Sequence, residues 1–135
     1  MLRIIVIVFV VLHGLVHLLY VGQSGRLFEL QPGLVWPDGS WAFSRLLGDE
    51  AARVVAGACC MLAAIGFVAG GMGLLARQAW WRPVVVGAAA FSAATLLLLW
   101  DGQMQRLDDQ GAIAILINLA ILAALLIFRW PDFGF

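Results

Sequence analysis

Four long apolar runs carry most of this chain, at about residues 4–22, 54–76, 83–100 and 111–128, and the polar positions gather between them. Each run approaches the ~20 residues that a helix needs to cross the hydrocarbon core of a bilayer. The pattern predicts an all-α protein: a four-transmembrane-helix bundle, residues 1–135 forming one integral membrane domain, with a long, partly ordered first extracytoplasmic loop. Arg3 gives the first run the look of a signal peptide. The run is too long for such a segment, however, and VGQSG after it offers no A-x-A-like cleavage site, so a retained helix is expected.

The connections differ in kind. RQAWWR, residues 77–82, is tight enough to make the second and third helices antiparallel neighbours. DGQMQRLDDQ, residues 101–110, is also short. Residues 23–53 instead hold Pro32, Pro37, Trp36, Trp41, several glycines and a short interfacial helix expected at WAFSRLL, residues 41–47. A loop of that length in a compact protein serves as a functional lid or docks on a partner. Its apolar side chains Leu27, Phe28, Leu30, Leu34, Val35 and Phe43 point to folding back over the mouth of the bundle.

Composition strengthens the membrane reading. The chain is 64% hydrophobic and only 12% charged, with a mean hydropathy of +1.00, whereas a soluble domain carries roughly a quarter charged residues. A formal net charge of zero gives no footprint for nucleic acid. Cys59 and Cys60 stand side by side in an apolar run and read as small buried residues rather than a disulfide framework. GFVAG, with Gly66 and Gly70, and GAAAFSAA, residues 87–94, let helix backbones approach closely; packing within the chain or a homodimer seam would both use them.

Charge then orients the bundle. If both termini share a side, that side carries Arg3, Arg77, Arg82 and Arg129 in very short segments beside helix ends. The opposite side carries Arg26, Arg45, Arg53 and Arg106 spread through longer loops, together with seven acids. Arginine density places both termini in the cytoplasm of a bacterial inner membrane. Trp80, Trp81 and Trp130 fall at one interface and Trp36, Trp41 and Trp100 at or near the other, as amphipathic indoles prefer. Asp49 and Glu50, and Asp108 and Asp109, precede helices whose dipoles favour acids there, while Pro83 suits a first helical turn.

One apolar run keeps two imidazoles. His13 and His17 in VLHGLVHLLY stand at i and i+4 on one helix face, and Tyr20 continues it. At ~1.5 Å per residue, His13 falls near mid-membrane and His17 about one turn nearer the outside. The same count puts Asn118 near His17 in depth, Ser92 and Thr95 in the same outer half, and Asp101 at the outer end of the third helix. Ionisable groups in hydrocarbon are costly without partners and mark functional sites. An interhelical hydrogen-bond cluster is the plainest use of these residues. A metal held by His13 and His17 would need a further ligand such as Asp101, a cysteine or water. A haem would need histidines from two subunits. The depth and apolar lining fit best an outward-facing pocket, lined by His13, His17, Tyr20, Ser92, Thr95, Asp101 and Asn118, for a small apolar or weakly polar molecule such as a quinone.

HGLVH on the first helix, Asp101 closing the third and the Gly111-to-Asn118 opening of the fourth resemble a group of small four-helix bacterial membrane proteins, loosely DoxX-like and often called permeases. The resemblance covers the four spans and implies the fold; the long first loop departs from the group. Binding or passage of a small molecule is the leading expectation. A non-catalytic accessory subunit in a larger membrane complex comes next, and a redox or isomerase enzyme using His13 and His17 comes third. No G-x-x-x-x-G-K is present, so the chain is not by itself an ATP-driven transporter.

Overall fold

The computed structural model describes residues 1–29, 32–106 and 108–135, with Arg106 described by its backbone alone. Leu30, expected on the folded-back loop, lies outside the described residues. Helix α1 spans Leu2–Ser24, α2 Phe43–Leu47, α3 Asp49–Leu75, α4 Trp81–Leu99 and α5 Ala112–Leu122, which runs on into a π-helical turn at Ala123–Ile127. A 3₁₀ turn covers Met104–Arg106, and no strand occurs among the described residues. Helices α1, α3 and α4 are long and apolar enough to cross a membrane; Ala112–Ile127 is apolar but shorter.

The surface is inverted relative to a water-soluble protein. Helix α1 exposes Ile4, Ile5, Val8, Leu12 and Leu15, and α5 exposes Ile113, Leu116 and Leu119. The buried interior, by contrast, holds His13, His17, Ser92 and Asn118. Contiguous apolar faces of this extent need a nonaqueous neighbour, which fits a protein whose helices lie in lipid.

Helix α1 packs along α3, α3 along α4, and α4 along α5. Small residues permit these approaches. A Cβ built on Gly14 of α1 would lie 2.7 Å from the Phe67 Cβ on α3, and one on Gly66 of α3 would lie 2.9 Å from the Ala88 Cβ on α4. Gly70 faces Val85 of α4 in the same way. The GFVAG stripe is therefore used within the chain, where close backbone contact replaces the hydrophobic drive that lipid does not supply.

Two apolar clusters fill the interior. Val10, Phe67, Leu74, Trp81, Val85, Ala89, Ile121 and Leu125 pack toward the end that carries the termini. Trp36, Ala56, Cys60, Leu96, Leu99 and Ala114 pack toward the end that carries the long loop. His13 and His17 of α1, Ser92 and Thr95 of α4 and Asn118 of α5 fall between the two.

The loop folds over the end of the bundle, and its polar groups explain why it stays there. The last carbonyls of a helix have no partner within it, and the loop supplies donors to those of α4. Ser40 Oγ donates to the Leu98 carbonyl at 2.7 Å and Trp41 Nε1 to that of Leu97 at 2.9 Å. The backbone N–H of Trp41 donates to the Trp100 carbonyl at 2.9 Å. Asp38 accepts from Arg26 at 2.9 Å and from Arg53 at 3.1 Å, joining the loop to both α1's end and α3. Asp49, in the first turn of α3, accepts the backbone N–H of Gly39 at 3.0 Å. Expected mainly as a dipole partner, it also anchors the loop. At the other end, Arg82 donates to the Pro131 carbonyl at 2.7 Å, and the Trp81 ring lies 6.1 Å from that of Phe133.

Candidate functional site

His13 and His17 of α1, Ser92 of α4 and Asn118 of α5 meet in one buried polar cluster. His13 Nε2 lies 2.8 Å from Asn118 Oδ1, and Asn118 Nδ2 donates to Ser92 Oγ at 2.8 Å. Ser92 Oγ lies 2.6 Å from His17 Nε2, and His17 Nδ1 lies 2.9 Å from the His13 carbonyl oxygen. The chain of contacts starts and ends on His13. It is a closed ring.

Donor and acceptor chemistry sets the direction of every bond in this ring. A carbonyl can only accept, so His17 Nδ1 carries the hydrogen. In a neutral imidazole, His17 Nε2 then accepts, and the Ser92 hydroxyl donates to it. Ser92 Oγ is left free to accept from Asn118 Nδ2, and Asn118 Oδ1 accepts from His13 Nε2–H. Turning the Asn118 amide over would draw the Ser92 hydrogen toward Asn118, and His17 Nε2 would need a hydrogen of its own. With neutral imidazoles, only one arrangement satisfies all four contacts.

Helix α3 closes the cluster with an aromatic wall. The Phe67 ring lies edge-on to His13 at 4.8 Å and tilted against His17 at 5.3 Å between centroids. The imidazoles are themselves edge-on at 5.1 Å. Their bonded nitrogens turn to different partners rather than to one point, and no group of three or more metal-ligating side chains occurs among the described residues.

The remaining expected site residues stand apart. Tyr20 lies toward the loop end of α1, 6.4 Å from the His17 ring and 5.2 Å from that of Trp36. Thr95 is buried near Ser92, one turn along α4, but no side-chain hydrogen bond joins it to the ring among the described residues. Asp101 lies beyond the end of α4, where its carboxylate accepts the Gln103 N–H at 2.8 Å and its own N–H donates to Gln110 at 3.0 Å. It shapes a turn.

Empty space lies on the loop side of the ring, under the loop. A cavity of about 290 Å³ opens between the end of α1 and the loop, lined by Gln23, Arg26, Phe28, Glu29, Leu34 and Trp36 among others. Gln23 is 4% exposed and Trp36 2% exposed. Neither atom of the Gln23 amide, nor the Trp36 indole N–H, has a hydrogen-bond partner among the described residues. The Phe28 ring lies directly over Gly22, where a Cβ would collide with it. Gln23 follows Tyr20 by three residues, and it joins the helix once α1 runs one residue past the expected end at residue 22.

Compared with protein-family models, curated proteins and solved structures, the chain matches none.

Proposed function

We propose that this is a four-span protein of a bacterial inner membrane, with both termini cytoplasmic, that binds a small, weakly polar molecule at its outward-facing end. The arginines crowded at the terminal end support this orientation. The exposed Trp80 and Trp130 there and the exposed Trp41 at the loop end support a membrane span between two interfaces, as in the aromatic belts of membrane proteins. The apolar turn sequence Ala112–Ile127 reaches only ~24 Å, a mismatch that a bilayer absorbs by local thinning.

The observation that carries the binding reading is the cavity of about 290 Å³ between the end of α1 and the loop. Its size lies at the lower edge of small-molecule pockets, ~300–1,000 Å³. Its walls mix apolar side chains with a few buried polar groups, as such pockets do. The histidine ring is complete without a ligand. Its role is to pin α1, α4 and α5 in register beneath the cavity, while Tyr20 and Trp36 pass that rigidity outward.

Solvent extraction and mass spectrometry of the protein purified in nanodiscs test this reading. Wild type should retain a small molecule that Leu34→Trp, which fills the cavity, does not. Identical extracts from the two proteins would contradict it.

A further inference from the structure

Gln23 is costly where it stands. A buried amide normally finds partners for its oxygen and nitrogen, and this one finds none among the described residues. The Trp36 indole N–H is buried in the same condition. These three unsatisfied atoms belong to two residues that line one cavity, and a small turn of the two side chains would bring them to an occupant with complementary groups.

The chemistry of that occupant follows from the inventory. Gln23 offers two N–H donors and one carbonyl acceptor in a plane, and Trp36 Nε1 can only donate. The charged neighbours are already engaged: Arg26 donates to Asp38 at 2.9 Å, and Glu29 accepts the Gly33 N–H at 2.9 Å. An anion would meet the apolar wall of Phe28 and Leu34 with Arg26 already paired to Asp38 and the Glu29 carboxylate beside it. The volume equals that of roughly ten liquid waters at ~30 Å³ each.

We propose that the cavity binds a small, neutral, planar molecule in which a carbonyl acceptor stands beside an N–H or O–H donor. Carboxamides, lactams and hydroxy-ketones share that arrangement. The Gln23 amide pairs with both groups, Trp36 Nε1 donates to an acceptor, and the ring of the ligand rests on Phe28 and Leu34. This assignment rests on the reading of the cavity as a ligand site and adds the class of ligand to it.

The test uses the full chain in nanodiscs with ¹⁵N-labelled tryptophan, the Trp36 indole signal being assigned by its loss in Trp36→Phe. Three probes are titrated: benzamide, methyl benzoate, which keeps the ring and carbonyl without the donor, and benzoate, which is charged. Benzamide should move the Trp36 signal saturably, on the order of tenfold more tightly than the other two. Gln23→Leu should lower benzamide to the level of the ester, with the other indole signals in place as evidence of folding. Equal binding of all three probes, or indifference to Gln23→Leu, would overturn the ligand class and leave a site under the loop. No saturable shift with any probe would overturn the site itself, leaving a cavity filled by water.

Discussion

His17 Nδ1 lies 2.9 Å from the carbonyl oxygen of His13, one turn back on the same helix, and this contact determines the hydrogens of the whole polar ring. Because the carbonyl only accepts, His17 is the Nδ1–H tautomer and His13, bonded through Nε2 to Asn118, is the Nε2–H tautomer. Nitrogen-15 NMR of labelled imidazoles in nanodiscs should show one histidine of each tautomer. Two of the same kind would contradict the ring.

Ser92 is the junction of that ring, since its hydroxyl both receives from Asn118 and donates to His17. Ser92→Ala leaves a buried N–H and a buried ring nitrogen without partners, at a cost of about 1–3 kcal/mol. Interhelical hydrogen bonds in membranes average ~0.6 kcal/mol when the partners can find substitutes. Thr95→Val, one turn away and outside the ring, leaves no ring partner unsatisfied and should cost less than Ser92→Ala. Reversible unfolding in mixed micelles compares the two; equal effects would show that Ser92 is not a junction.

Asp38 receives both Arg26 and Arg53, whose side chains are 47% and 24% exposed. Exposed pairs contribute little, so Asp38→Asn should lower global stability by less than ~1 kcal/mol. Its effect should be local instead. Hydrogen exchange of the backbone amides from 34 to 40 should quicken, with that of α3 unchanged. An unchanged loop would mean that the Ser40 and Trp41 bonds to α4 hold it alone.

Orientation has a separate check. Leu46→Cys on α2, where the side chain is 81% exposed, should react with an impermeant maleimide in intact cells, and Gln78→Cys in the α3–α4 turn should not. The native Cys59 and Cys60 lie within the apolar length of α3, away from the reagent. The reverse labelling would invert the protein in the membrane.

Much of this arrangement is legible from residue types and counting. Long apolar runs announce the helices, and i,i+4 spacing alone puts His13 and His17 on one face. Counting depth brings Ser92 and Asn118 to their level. It does not assign partners: Asn118, counted level with His17, bonds His13, because axial depth carries no information on how helices rotate and lean. Asp101 looks like an outer wall of the site, yet α4 ends at Leu99 and leaves it to organise a turn. Gln23 escapes notice because an apolar run ends at residue 22 while the helix continues to Ser24. Helix ends follow hydrogen bonding and not hydropathy, and here a difference of two residues hides the residue that lines the cavity.

In the proposed function, small-molecule binding belongs to the cavity under the loop and not to the histidines. Benzamide titration of the Trp36 indole signal in two variants tests it most directly. His13→Phe with Asn118→Leu replaces two ring partners together, a change that leaves no lone buried polar group between them; binding should stay within about threefold of wild type, the sites being independent. Leu34→Trp fills the cavity with the ring intact, and binding should be lost. If the ring variant abolishes binding while Leu34→Trp retains it, the histidines hold the ligand and the account is contradicted.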